Sequence, residues 1–292
     1  MAGSLYSIYL ALQTHFGSNP TWWPIFGDDA PFEMMLGAVL VQQTRWETVE
    51  GAIVRLHQAG LLNPPALAQA DVQYVTELLR PTAFHTQKAP GIMAISAYLC
   101  ARYNGSAATL LAQPPAILRP ELLSLPRIGP ETADVIMLYA GGHPQFVVDD
   151  YTRRLLGRID PQLPDHYPQS STSVSPRVPG ATQRSFDWQR TRYAVVQQLI
   201  VTTLTSEMEA LPCLAQPDDE YLSALFGDYH ALINEQCVRY CLARNPRCDG
   251  PPARRVYSVQ EGRESYLERH DGCPLRPVCA YYQLQRREVS LC

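Results

Sequence analysis

Lysine is almost missing from this chain of 292 residues. Lys88 is the only one among 24 basic side chains, and the other 23 are arginine. A mechanism that attacks through a lysine amine therefore has a single side-chain candidate. No apolar run is long enough to cross a bilayer, so no membrane partner is expected. The opening residues, MAGSLYSIYLALQTHF, lack the basic start of a secretory signal, and the expected location is cytoplasmic, at the nucleoid in a bacterium. In a reducing compartment the eight cysteines read as metal ligands or free thiols rather than disulfides. A global excess of positive charge is lacking too. The formal net charge is −4, which weighs against nucleic acid as a partner. Its distribution is uneven, however: from Arg239 to Arg287 ten arginines stand against five acids.

Strand-like alternation is also scarce, and what is present is helical. Hydrophobic residues make up 46% of the chain, enough for one large or two moderate domains. Apolar residues recur at helical spacing over 5–16, 64–80, 86–101, 107–125, 188–210 and 217–243. Residues 31–56 read as two helices joined near Gln42–Arg45, and prolines and glycines punctuate the rest. These features predict an all-α fold. Residues 161–187 carry five prolines, several serines and little apolar pattern, and they read as a surface insertion or flexible loop.

Two stretches carry chemistry. LPRIGPETAD, residues 125–134, closes one helix, turns through Gly129 and opens another at Pro130. Gly129 is expected to use its freedom at positive φ, and Pro130 suits the first helical position. Such a turn presents backbone N–H groups to an anion such as a DNA phosphate, although it can equally be an ordinary helical connection. About twenty residues later VVDDYTRR places Asp149 before a helical stretch. Asp149 can cap that helix, as can Asp150. A carboxylate there can also stabilise positive charge on a sugar whose base is leaving.

The pairing of this hairpin with the aspartate resembles the endonuclease III superfamily of DNA glycosylases. The likeness runs from about Phe32 to Cys279, and FHTQKA, residues 84–89, resembles a further recurrent stretch of that family. The resemblance implies a helix-hairpin-helix glycosylase fold. A six-helix barrel would span 29–142, and a second helical domain 1–28 and 143–292, with insertions at about 161–187 and 249–272. It implies an enzyme, expected to be monomeric, that flips a damaged base from double-stranded DNA and cuts its glycosidic bond. Asp149 takes the catalytic position. Leu125, Arg127, Ile128, Gly129 and Thr132 take the DNA-gripping positions. Gln42 or Gln43 takes the place of the residue that fills the gap left by the base, a pair that otherwise reads as polar residues at a helix end.

Departures from the family narrow the reading. Where the bifunctional enzymes carry a catalytic lysine, this chain has Glu131, which cannot form an imine. A monofunctional glycosylase using water is expected, with bifunctional glycosylase/AP lyase action, weak lyase action and lesion binding without catalysis as alternatives. Where adenine glycosylases need an acidic residue, this chain has Ala38. WWP followed by GAVLVQQTRW most resembles the endonuclease III-related, 3-methyladenine glycosylase-like group. That group removes cationic purines, which an aromatic pocket can stack. Trp22, Trp23 and Trp46 are candidates, with burial in the core as the plainer reading.

Cys241 and Cys248 enclose six residues, and Cys273 and Cys279 enclose five. These two spacings match the outer spacings of the family's [4Fe–4S] loop, although 24 residues stand where the family has two. The resemblance implies Cys241, Cys248, Cys273 and Cys279 as ligands of a [4Fe–4S] cluster, with a four-cysteine zinc site as the alternative. Cys237 sits one turn before Cys241 and fits less well. His230, in DYHALI, reads as a buried structural histidine.

Overall fold

The computed structural model describes residues 4–19, 22–163, 186–211, 217–253, 266–267 and 269–290. Among them every regular element is helical. In chain order these are α1 (Leu5–Phe16), α2 (Ala30–Leu40), α3 (Trp46–Gln58), α4 (Pro64–Gln69), α5 (Val72–Leu78), α6 (His85–Tyr103), α7 (Ala107–Leu111), α8 (Pro115–Ser124) and α9 (Pro130–Val135). A π-helical turn, Ile136–Ala140, continues α9. Then follow α10 (Asp150–Ile159), α11 (Tyr193–Glu209), α12 (Asp219–Arg239) and α13 (Ala280–Ser290). No helix among the described residues is long and apolar enough to cross a membrane.

Local chemistry sets the helix limits. The apolar period over 64–80 yields two helices because Asp71 accepts a bond from Tyr74 N and starts α5 afresh. The period over 107–125 breaks at Pro114, and Pro115 opens α8 at a position where its missing N–H costs nothing. Between Leu40 and Trp46, Gln43 takes a left-handed backbone (φ 53) and the chain reverses.

The buried apolar side chains form two clusters. One draws on Phe32 through Met137 and so on α2 to α9. The other draws on α1 together with Leu138 through Leu275. The π-helical turn is where the chain passes between them. Two adjacent tryptophans straddle the same seam: Trp22 packs on the second cluster and Trp23 on the first. The insertion at 161–187 lies mostly outside the described residues, as do 254–265 of the insertion at 249–272.

Candidate functional site

The hairpin forms where expected, but its glycine is used differently. Gly129 is extended (φ −94, ψ −178), and the left-handed residue of the turn is Arg127 (φ 66). The turn is therefore held by contacts rather than by glycine freedom. Gln42 Nε2 donates to Arg127 O at 2.8 Å and to Thr132 Oγ1 at 2.9 Å. The Arg127 stem lies against Gly91, where a Cβ would approach its Cγ to 2.7 Å. Arg127 Nη1 donates to Gln87 Oε1 at 3.0 Å. Leu125 and Ile128 turn inward, each 6% exposed, so only their backbone remains for an outside partner. A Cβ added at Gly129 would meet nothing within 4 Å, so the glycine leaves the mouth of α9 bare.

The two glutamines separate. Gln42 is committed to the hairpin. Gln43 is exposed on its left-handed backbone. It lines an open cleft with Gln42, Phe84, Gln87 and Arg127. Phe84 is a second left-handed residue (φ 57), 47% exposed despite its ring. Sequence reading noticed its stretch but missed the side chain. Beneath this loop Lys88 is fully buried. Its Nζ donates to Leu40 O (2.7 Å), Gln42 O (2.8 Å) and Thr44 Oγ1 (3.1 Å). The lone lysine thus pins the loop that carries both glutamines. Burial, then the Arg127 charge, push its ammonium down to about 8.

Asp149 caps α10, with Oδ1 accepting from Thr152 N at 2.7 Å. Buried Val147 and Val148 fix the extended run that delivers it. Its Oδ2 lies 3.5 Å from His230 Nε2 and accepts from Asn234 Nδ2 at 3.4 Å. Burial pushes this carboxyl up, but His230 and the Thr152 N–H outweigh it and hold Asp149 below its ordinary value. The opposite occurs at Glu131, at the start of α9. Its residue is exposed, yet the protein atoms packed around the carboxyl, and then the Asp149 charge, push it up to about 7. His230 is buried, as the sequence reading favoured, but it stands against Asp149 rather than serving the core alone.

Aromatic rings wall this site. Tyr139, on the π-helical turn, lies 5.3 Å from Trp22 and 5.5 Å from Trp23, centre to centre. Trp23 meets Trp46 edge-on at 5.1 Å, and Trp22 meets His230 at 5.8 Å. The three tryptophans are half-buried, at the margin of the cores rather than inside them. Gly37 is the concession α2 makes to Trp23, since a Cβ there would come within 2.8 Å of the ring. The indole N–H groups of Trp23 and Trp46 are buried with no acceptor among the described residues. Tyr139 and Asn234 carried no signal in the sequence, since only their packing brings them beside Asp149.

Cys241, Cys248, Cys273 and Cys279 line one small cavity with Arg158 and Gln236. All are free thiols, as are Cys100 and Cys237, while Cys213 and Cys292 lie outside the described residues. Arg158 Nη1 approaches Cys241 Sγ at 3.2 Å, and Gln236 Nε2 approaches Cys273 Sγ at 3.0 Å. Among the described residues no three His, Cys, Asp or Glu side chains are grouped closely enough to hold a metal ion. Cys237 does not line the cavity, and its Sγ turns to Tyr151 O at 3.5 Å.

A profile described as "HhH-GPD superfamily base excision DNA repair protein" matches residues 36–172. A Methanocaldococcus jannaschii protein, provisionally named a DNA repair glycosylase, is 28% identical over 249 residues, which is 85% of this chain and 93% of the relative. Endonuclease III homolog 1 of Arabidopsis thaliana is 36% identical over 129 residues, but those are 44% of this chain and 32% of the relative. Among solved structures, a non-covalent endonuclease III–DNA complex superposes with a TM-score of 0.63 at 18% identity, covering 97% of each chain. H. pylori 3-methyladenine DNA glycosylase bound to 1,N6-ethenoadenine superposes with a TM-score of 0.55 at 22% identity, covering 77% of this chain and 91% of the other. At these identities the likeness to solved structures is one of fold.

Proposed function

We propose that the chain, whose residues 36–172 match the HhH-GPD profile, is a base excision repair DNA glycosylase of the endonuclease III superfamily that binds damaged duplex DNA, flips out an alkylated purine and hydrolyses its glycosidic bond with water. One observation carries this reading: a carboxylate held below its ordinary value by His230, whose ring packs on Trp22 and Tyr139 beside the hairpin helix. The base turns into the space bounded by Trp22, Trp23, Trp46 and Tyr139. Ring faces favour a cationic base. As the bond breaks, Asp149 stabilises the oxocarbenium and orients the attacking water. An alkylated purine already carries positive charge and leaves neutral, so little general acid is needed.

The backbone from Leu125 to Thr132 grips a phosphate at the bare end of α9. Arg127 lends charge, and Gln42 holds the grip in shape from behind. Gln43 and Phe84, exposed on adjoining left-handed turns, enter the duplex where the base has left. The two apolar clusters suggest the domain division at 29–142 against 1–28 and 143–292, with the active cleft at their seam and the chain acting as a monomer.

The reading is tested by incubating the protein in excess with duplexes bearing 7-methylguanine or 3-methyladenine, then treating with alkali or borohydride. Alkali-dependent breaks at the lesion and no borohydride-trapped adduct are expected, because Glu131 stands where an amine would be needed. A trapped adduct would make the enzyme a lyase. Tight binding without release would make it a lesion binder.

The cysteine cavity suits a [4Fe–4S] cluster better than zinc. A single zinc ion at about 2.3 Å would require the four sulfurs to converge on one point. A cube of iron and sulfide holds its thiolates further apart, and the N–H groups of Arg158 and Gln236 are placed to bond ligand sulfur. Bound there, it would supply a cross-link among the end of α12, the 249–272 insertion and the start of α13. Anaerobically purified protein should be brown and hold about four irons per chain, while stoichiometric zinc and no colour would overturn the assignment.

A further inference from the structure

His230, on α12, has only 7% of its side chain exposed. Its Nδ1 lies 2.7 Å from the Tyr139 hydroxyl, which also lies 3.0 Å from the Gly227 carbonyl. A carbonyl can only accept, and a phenol has one proton to give. Tyr139 therefore donates to Gly227, and its oxygen accepts from His230 Nδ1–H. Burial pushes Tyr139 ionisation far upward, so that proton stays in place. With Nδ1 committed, Nε2 is left to face Asp149 Oδ2 at 3.5 Å. Asn234 closes the group: its Nδ2 lies 3.2 Å from Nε2, 3.4 Å from Oδ2 and 3.1 Å from His230 O. A bare Nε2 lone pair turned on a carboxylate would repel it. The contact is attractive when Nε2 also carries a proton, or when the Asn234 N–H bridges the two.

We propose that His230 is a positioning residue for base release: Tyr139 fixes Nδ1 as its donor nitrogen, and Nε2, with Asn234, aims the Asp149 carboxylate into the cleft. This rests on the reading of Asp149 as the group that stabilises the sugar. The arrangement resembles a nucleophile's supporting pair in its logic, since a buried hydrogen bond commits Nδ1 as a donor and the other nitrogen then meets the acid, with a proton on it or with the Asn234 N–H between them. The other titratable or charged groups around the pair are Glu131 from α9, Asp150 and Arg153 from α10, Tyr193 from α11 and Cys237 from α12. Of these, Glu131 titrates close enough to neutrality to mask the effect, so the comparison is made in a Glu131→Gln background.

In that background, His230→Leu should slow single-turnover release of 7-methylguanine by about 10-fold at neutral pH, as expected for losing one hydrogen bond to a charged group. The acid limb of the rate should move to higher pH, because the burial of Asp149 is then less opposed. Affinity for a duplex holding a stable abasic analogue should stay within about twofold, since neither His230 nor Tyr139 touches the hairpin. His230→Gln, whose amide can still reach Oδ2, should recover most of the rate. A loss of rate with an unmoved acid limb would overturn the proposal. Ring-nitrogen NMR of the wild-type protein tests the tautomer without any activity: Nδ1 should be protonated, and Tyr139→Phe should release that preference. An unprotonated Nδ1 would sink the assignment. Failure of the wild-type protein to release any alkylated base would sink the proposed function instead and leave the NMR result to judge His230.

Discussion

Asp149→Asn should slow base release by about 10³-fold while leaving the fold intact, the scale seen when one preorganised electrostatic group is removed from a transition state. The substitution separates the two roles of this side chain. As a helix cap, asparagine is nearly as good as aspartate, so the bond from Thr152 N survives and α10 should keep its start. As a charge, asparagine is no substitute, because a neutral amide cannot stabilise the positive charge that develops on the sugar. Glu131 shares the cleft, but its carboxyl is pushed up to about 7 and is partly protonated where the reaction runs. Single-turnover release from an alkylated duplex checks the first claim, and thermal unfolding the second. A rate within tenfold of wild type would refute the assignment. The pH dependence has a definite sign. Asp149 lies below its ordinary value of 3.8, so the stability it contributes is present above that value and is lost as pH falls through the lowered one. The variant should lose that part of the acid sensitivity.

Asp134→Ala should cost about 3 kcal/mol of stability, near the lower end of what breaking a buried ion pair costs because Arg119 keeps some contact with water. Asp134 is fully buried on α9. Its Oδ1 accepts from Arg119 Nε at 2.8 Å, and its Oδ2 from Arg119 Nη2 at 3.3 Å and Gln197 Nε2 at 2.8 Å. Gln197 Nε2 also donates to Phe146 O at 2.8 Å. One carboxylate thus ties α8, α9 and α11 to the extended run that ends at Asp149. For a chain of this size the loss should lower the melting temperature by about 6–12 °C. Base release should weaken as well, because the hairpin and Asp149 would no longer share a brace. Asp134→Asn keeps hydrogen bonds and should recover about half of the loss. A melting temperature within about 2 °C of wild type for the alanine variant would show that the brace carries little.

Much of the site was legible along the chain because its parts are local. The hairpin needs a proline, a glycine and flanking leucines within ten residues, and Asp149 announces itself as the polar residue before an amphipathic helix. Glu131 was legible as a replacement at one position of that hairpin. The four cysteines picked by spacing line one cavity despite the long insertion, since loop length adds little to closure entropy, and the cluster they would hold belongs to the proposal. Other features were not legible, for physical reasons. Gln42 and Gln43 are neighbours with the same chemistry, and only the left-handed turn at Gln43 sends one into the hairpin and the other to solvent. Lys88 looked like a spare amine until its burial under three oxygens made it a pin. The glycine of the hairpin suggested positive φ, yet Arg127 took that conformation because Gln42 and Gly91 hold its backbone and stem.

The sequence by itself determined that the chain is helical and which local motifs it carries, because periodicity, capping and turn chemistry act over a few residues. Only the tertiary structure decided that Trp22 and Tyr139 meet His230, and that His230 and Asn234 meet Asp149. These residues are up to about two hundred positions apart, and what joins them is the closure of two apolar cores on either side of one π-helical turn. Which polar group faces which across that seam depends on packing that no local pattern encodes.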